Sequence, residues 1–280
     1  MIKNRKLGAV FRQLREMKNL SLSQVVEGIC SKSQLSRFEN GENDIGAEKL
    51  FQLLDAINVT YEEFIYQIRN FDLTDFERLF SEAANYEEKG RFDKIELLRQ
   101  KELAKAGDIH RFNAYALQSI IAMHGEAENL TEKEISDVVD YLFSILEWSH
   151  YEIWIFLATS QQLPYPLCLE FAKEMSNRTL FYRKVPDNRE LICHLMRILA
   201  FVAIQNHDVE NAERFLKGFL ELRGDNDWVR LIAAPLIEIR MLKEKGEVEE
   251  AKKLWKQLIS AYELLGTNPK NLEDLKNEEF

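Results

Sequence analysis

The stretch SLSQVVEGICSKSQLSRFENGEN, residues 21–43, decides how the whole chain is read. Ser21 is a good N-cap, and Gln24 three residues on completes a capping box. A helix starting there buries Leu22, Val25, Val26 and Ile29, with Gly28 and Cys30 falling in the turn that ends it. Ser31 caps the next helix, again with a Gln (Gln34) at the capping-box position. Leu35 and Phe38 then face the core, which leaves Lys32, Ser33, Ser36 and Arg37 outward near the helix start. Asn40-Gly41 stops this helix, since both residues tolerate left-handed backbone. Two short helices joined by a tight turn, the second led by small polar and basic side chains, suit a helix laid into the DNA major groove. Lys and Arg can donate to guanine O6 and N7, and Ser can bond several base edges. Lys32, Ser33, Ser36 and Arg37 are therefore expected at bases, with Arg12 and Gln34 supporting phosphate contacts.

Working outward, Leu7, Val10, Phe11, Leu14 and Met17 recur at three- and four-residue steps and predict a first helix that buries that stripe. Arg12 and Lys18 lie off it. Beyond the central stretch, a fourth helix is expected over residues 47–57 on Leu50, Leu53, Leu54 and Ile57. Thr60 caps a fifth that buries Phe64, Ile65 and Ile68. Phe71-Asp72-Leu73-Thr74 reads as a hinge, with Asp72 or Thr74 capping a helix near Asp75. The expected division is a five-helix domain over residues 1–68, a linker over 69–74 and a second domain over 75–280.

Charge divides along the same line. Residues 1–40 hold eight Lys/Arg against three acids, a net of +5; the whole chain is −10, so the remaining residues carry −15. A small basic head on a large acidic body fits a protein of which only one end meets phosphate. Glycine (11) and proline (5) are scarce, which favours an all-α chain. Cys30, Cys168 and Cys193 have neither metal-ligand spacing nor an even count, so no metal and reduced thiols are expected. No basic stretch leading an apolar segment opens the sequence, and the longest apolar runs, such as residues 198–204, are far short of a membrane span. A cytoplasmic protein with no membrane partner is the expectation. Cys193-His194 are adjacent and so diverge on a helix, and His110, His124, His150 and His207 lack any catalytic or ligand motif. There is no Gly-rich phosphate loop. No enzyme and no cofactor are expected.

The body shows weak internal repetition: NYEEKGRFDKIELL (residues 85–98), AIQNHDVENAERFL (203–216) and MLKEKGEVEEAKKL (241–254). Each is a helix end, a small or polar turn, one apolar residue (Phe92, Val209, Val248) and a new helix. A two-helix unit recurring in this way fits a superhelical stack of hairpins of the tetratricopeptide-like kind; the alternative is an irregular helical bundle. Leu167 with Pro164 and Pro166 marks one intermediate unit, and Thr131 a fainter one. Stacked hairpins offer a groove for an extended peptide. Trp148, Tyr151, Trp154, Phe156, Tyr165, Phe181 and Tyr182 supply aromatics, which taken singly read as core packing. Asn177, Arg178, Arg183, Asn188, Arg189 and Arg197 supply polar groups. No pocket residue can be assigned from sequence.

SRFENGE and the closing NVTYEEF resemble the Cro/repressor type of helix-turn-helix domain. That resemblance implies a structural ion pair between Arg15 and Glu39. The chain departs from the pattern at Leu22, where the family has Gln, and in a turn one residue short, with the usual Gly absent from its expected place. Over its whole length, with SKSQLSRFENGE, LLDAINVTYEEF, SHYEIWIF and SNRTLFYRKVPDNRELI, the chain resembles the Rgg family of Gram-positive transcription regulators. The resemblance implies a homodimer on double-stranded DNA, controlled by a short hydrophobic signalling peptide held in the repeats, as in quorum sensing. Some members carry a Cys before the fourth helix that links two heads; here that stretch is Asp44-Ile45-Gly46-Ala47-Glu48, so the link is expected to be missing. Two other readings remain open: a helical-repeat protein-interaction scaffold, and a DNA-binding regulator that senses a small molecule.

Overall fold

A computed structural model describes residues 7–178, 186–222 and 228–266, the side chains of 176–178, 186–187, 228–232 and 265 excepted. Among the described residues there are fifteen α-helices and no strand. The chain forms two compact units that divide between Glu82 and Ala83, inside the sixth helix.

The first unit holds α1 (Leu7–Met17), α2 (Leu22–Val25), α3 (Lys32–Glu39), α4 (Ala47–Ala56), α5 (Tyr61–Ile68) and the start of α6 (Asp75–Glu88). Its core is Val10, Phe11, Val25, Val26, Leu35, Phe38, Leu50, Leu53, Leu54, Ile57, Val59 and Phe64. Most of this is the expected apolar set, but three residues depart from it: Leu7 is 43%, Met17 68% and Ile65 42% exposed. The physical reason is where the helices cross. α1 meets α3 through Gly8, whose backbone lies so close that an added Cβ would fall 1.8 Å from the Phe38 carbonyl oxygen. The covered face is therefore Gly8, Phe11 and Arg15, one turn apart, beside Val10, and the two ends of the predicted stripe overhang it. On α5, Phe64 takes the core position and Ile65, a third of a turn round, faces outward.

α2 is a single turn. Its cap is the expected one, with the Ser21 amide donating to Gln24 Oε1 at 2.9 Å. Gly28, at φ +74°, turns the chain towards α3. Ser31 Oγ accepts from the Gln34 amide at 3.1 Å and starts α3. Gly41, at φ +71°, ends it, donating to the Phe38 carbonyl at 2.9 Å. Thr74 caps α6: its amide donates to Glu77 Oε2 at 2.7 Å, and the Glu77 amide returns a bond to Thr74 Oγ1 at 3.1 Å.

The second unit continues with α7 (Phe92–Leu103), α8 (Asp108–Met123), α9 (Glu132–Ser144), α10 (His150–Thr159), α11 (Tyr165–Arg178), α12 (Pro186–Gln205), α13 (Val209–Leu222), α14 (Trp228–Glu244) and α15 (Val248–Leu265). The three apolar residues picked out by the repeat, Phe92, Val209 and Val248, are the first residues of α7, α13 and α15. The turns before them share one pattern of paired amide bonds. Gly90, His207 and Gly246 occupy the left-handed position at φ +63°, +55° and +77°. Their amides reach back to Glu87, Ile204 and Lys243, and the next amides to Tyr86, Ala203 and Leu242, all at 2.8–3.0 Å. This is a Schellman stop repeated three times.

Alternate helices α8, α10, α12 and α14 lie side by side in a row, and α12/α13 and α14/α15 pair as hairpins. Thr131 caps α9, and Pro164 precedes α11, so both faint unit marks fall at helix starts. The centre of the unit is aromatic. Trp148, Phe156 and Phe171 are fully buried, with ring centroids 5.5–5.8 Å apart, and Phe143 lies 4.6 Å from Phe171. A row of hairpins, each packed on its neighbours, is the stacked-hairpin architecture rather than the irregular bundle.

Candidate nucleic-acid interface

The site is built on α3. Leu35, fully buried, and Phe38, 3% exposed, anchor its inner face. Lys32, Ser33 and Arg37 are exposed on the other side, and Gln34 and Ser36 are half-buried at its edges. Ser33 Oγ lies 3.1 Å from Ser31 Oγ, which holds it at the helix start. Among the described residues neither Lys32 nor Arg37 has an ion-pair partner. α3, eight residues and so about 12 Å long at 1.5 Å per residue, thus presents two cations and small hydroxyls on its outward side.

Arg15 takes no part in that edge. Its Nε and Nη2 donate to Glu39 Oε1 and Oε2 at 2.7 and 2.8 Å, and Nη1 donates to the Leu20 carbonyl at 2.6 Å. The two side chains are 8% and 4% exposed. A bidentate pair this deep fixes the end of α3 against α1. The carboxylate beside the Arg15 guanidinium holds it above the ordinary arginine range, against the opposing pull of burial.

Arg12, one turn back on α1, is exposed and braced at 2.8 Å by Glu16 and at 3.4 Å by Asn40 Oδ1. It therefore stands at the finishing end of α3, whereas Lys32 and Ser33 stand at the starting end. Gly8 and Asn40 carry weight that the sequence reading did not give them. Asn40 was read only as a helix stop, although it also steadies Arg12. Gly8 sets the crossing that brings Arg12 and Arg15 to α3, and without a side chain it leaves no signal in the apolar pattern of α1. Lys49, at the start of α4, lies close enough to the α2–α3 turn to pull down the Cys30 thiol, which burial pushes up more strongly.

In the second unit the expected aromatics divide. Trp148, Trp154 and Phe156 are core. Tyr151 and Tyr165 are half-buried and hydrogen-bonded: Tyr151 donates to Asn113 Oδ1 at 3.1 Å, and Tyr165 to Asp208 Oδ2 at 2.9 Å. Asn188 is buried and its Oδ1 meets His150 Nδ1 at 3.0 Å, which joins α10 to α12. Arg189 is exposed and Arg197 half-buried. Phe181, Tyr182 and Arg183, and the side chains of Asn177 and Arg178, lie outside the described residues. The sequence reading did not foresee a buried polar set around Glu102. That residue, 4% exposed, is met by Lys105, by His110 Nδ1 at 2.7 Å and by Asn113 Nδ2 at 2.8 Å. Burial pushes the Glu102 carboxyl up, but these hydrogen bonds outweigh it and leave the group below its ordinary value. Among the described residues no helix is long and apolar enough to cross a membrane.

The family model for the C-terminal domain of the HTH-type transcriptional regulator Rgg matches residues 96–276, and a helix-turn-helix model matches residues 11–64. The chain belongs to the Rgg family of helix-turn-helix transcriptional regulators. Two solved structures show how far the Rgg architecture extends. The SHP pheromone receptor Rgg2 of Streptococcus dysgalactiae is 24% identical, with 96% of this chain and 97% of that chain covered at a TM-score of 0.79. A bacterial peptide pheromone/receptor complex, 16% identical, covers 98% of this chain and 99% of that one at a TM-score of 0.68. Both share the fold of this Rgg chain from head to body.

Proposed function

We propose that this Rgg-family chain is a sequence-specific DNA-binding regulator, working as a cytoplasmic homodimer, whose repeat unit is controlled by a short hydrophobic signalling peptide. The observation that carries the reading is the outward edge of α3, where Lys32, Ser33 and Arg37 are exposed on a helix whose other face is locked by Leu35, Phe38 and the Arg15–Glu39 pair. In this reading Lys32, Ser33, Ser36 and Arg37 meet base edges, and Arg12 and Gln34 meet phosphates. Rgg2 is a pheromone receptor and the second solved structure is a pheromone/receptor complex, which supports the peptide as the ligand of a body with the same fold. The activity is one of binding, with no catalytic step.

The test is quantitative footprinting on the DNA upstream of the protein's own gene. Arg37→Ala should cost roughly 1–3 kcal/mol in specific binding and relax the sequence preference at one position of each half-site. The two half-sites should lie about 34 Å apart, or a multiple of that. An Arg37→Ala footprint and affinity equal to the parent's remove the proposed base contact. Calorimetry with short hydrophobic peptides tests the ligand, and a body that binds none of them while the head still binds DNA would leave only the first half of the proposal.

A further inference from the structure

Three helices of the head stop in the same way. α1, α4 and α5 are each ended by an asparagine, Asn19, Asn58 and Asn70, left-handed at φ +57°, +49° and +54°. Each asparagine amide donates to the carbonyl three residues back (Glu16, Asp55, Gln67), and the next amide to the carbonyl five back (Arg15, Leu54, Tyr66), at 2.7–3.2 Å. Asparagine tolerates that backbone, and an apolar residue after it commonly folds back on the helix just ended. Leu20 and Val59 do so: neither has a positive φ, Val59 is 4% exposed, and Leu20 packs on the core. Phe71, in the same place after α5, does not. It stays left-handed at φ +60°, where a bulky side chain strains the backbone, and it is 68% exposed. Yet Phe71 stands at the edge of a recess of about 500 Å³ to which Leu14, Val59 and Tyr66 give apolar walls. The rim of the recess is fixed, by Lys18 Nζ donating to the Asn58 carbonyl at 2.7 Å and by Glu63 Oε2 accepting from the Thr60 amide at 2.8 Å.

The chain just beyond Phe71 is held by three bonds. The Asp72 amide donates to the Arg69 carbonyl at 3.1 Å. Arg78, near the start of α6, donates through Nη2 to Asp72 Oδ1 at 2.8 Å and to the Leu73 carbonyl at 3.2 Å. The Arg78 and Asp72 side chains are 43% and 66% exposed, so this clasp is weak and screened by salt. A strained backbone and an exposed ring are thus set against a surface ion pair. We propose that residues 70–73 form a two-state strap on the chain path from head to body. Open, the strap is held by the Arg78 clasp. Closed, Phe71 leaves the left-handed region and seats its ring between Leu14, Val59 and Tyr66, which releases the strain, buries the ring and ties the linker to α1 and α5. A load on α6 that breaks the clasp therefore shortens the tether of the head. The strap requires neither a peptide in the body nor the base contacts of α3.

The test puts para-fluorophenylalanine in place of Phe71 in the full-length protein and reads its fluorine resonance, whose shift between light and heavy water reports exposure of the ring. Arg78→Ala should raise the closed-to-open ratio about two- to fivefold, the range for loss of an exposed ion pair, and so shield the ring. Raising salt with the parent chain should shift the ring in the same direction without any substitution. Tyr66→Ala, made at a position 43% exposed, removes one wall of the recess and should return the ring to solvent in the Arg78→Ala background. Chymotrypsin cleavage after Phe71 gives an independent reading. Arg78→Ala should slow it, whereas loss of an ion pair from an ordinary linker speeds it. Hydrogen exchange across α1 and α5 checks that the head of each variant stays folded. A ring equally exposed with and without Arg78 and at every salt concentration overturns the proposal. So does faster cleavage in Arg78→Ala. A ring that stays shielded in Arg78→Ala/Tyr66→Ala has seated elsewhere, and that too overturns it.

Discussion

Replacing Arg15 with Met tests whether the buried ion pair is a clamp or an ornament. The substitution keeps the length of the side chain and removes its charge. Glu39 is then left with a carboxylate on a side chain 4% exposed and no cation, and the Leu20 carbonyl loses its 2.6 Å donor. Stranding one partner of a buried pair costs about 3–5 kcal/mol. A folded unit of this size has only about 0.05–0.15 kcal/mol per residue to lose, so most of the head's stability should go. Glu39→Leu alone should cost less, since Arg15 can keep Leu20 and swing towards Glu16, now 3.4 Å away. Arg15→Met/Glu39→Leu together should return to within about 1–2 kcal/mol of the parent, because an apolar pair replaces a costly charged one. The assay is native-state hydrogen exchange on the full chain, read on peptides spanning α1 and α3. A loss of about 3 kcal/mol appears there as protection reduced roughly 150-fold. If the double variant loses as much as the two singles combined, the residues are not coupled and the clamp argument fails.

Two further outcomes follow from the geometry. Gly8→Ala forces a methyl to 1.8 Å from the Phe38 oxygen, so overpacking of about 1–3 kcal/mol should outweigh the roughly 1 kcal/mol gained in helix propensity; a more stable Gly8→Ala head in the same exchange experiment would mean that α1 and α3 do not cross this closely. Asp208 caps α13, and bonds from the Asn211 side chain and backbone hold its carboxyl below the ordinary value. A depressed folded pKa adds stability above the unfolded value and loses it as pH falls through the folded one. Asp208→Ala should therefore cost about 1 kcal/mol at neutral pH, with a melting difference that closes below about pH 4. A pH-independent gap would show that the charge is not what caps the helix.

How much was legible follows from the range of each interaction. Local rules located Ser21, Ser31, Thr60 and the stop at Gly41, because a cap involves residues three or four apart. Periodicity found Leu35, Phe38, Leu50, Leu53, Leu54 and Ile57, because a helix face is a property of spacing. It misplaced Leu7, Met17 and Ile65, because spacing does not say where a neighbouring helix begins and ends its cover. It gave Gly8 no role, because a residue without a side chain leaves no mark on an apolar pattern. The Glu102–Asn113–Tyr151 set was out of reach altogether, since its members come from three helices. On α3, residue types and local caps indicated which side chains face outward, but not that Arg12 is braced at the far end of the helix by Asn40.

The three repeated stops in the body are not equal. Two are glycines, for which the left-handed backbone is free of cost; the third is His207, which has a Cβ and sits at φ +55°. A non-glycine residue in that region carries about 1–2 kcal/mol of strain. Among these three stops, the corner between α12 and α13 is thus the one that stores backbone strain. Of the three, this stop should open most readily, and amide exchange at His207 and Asp208 should run ahead of that at Gly90 and Gly246.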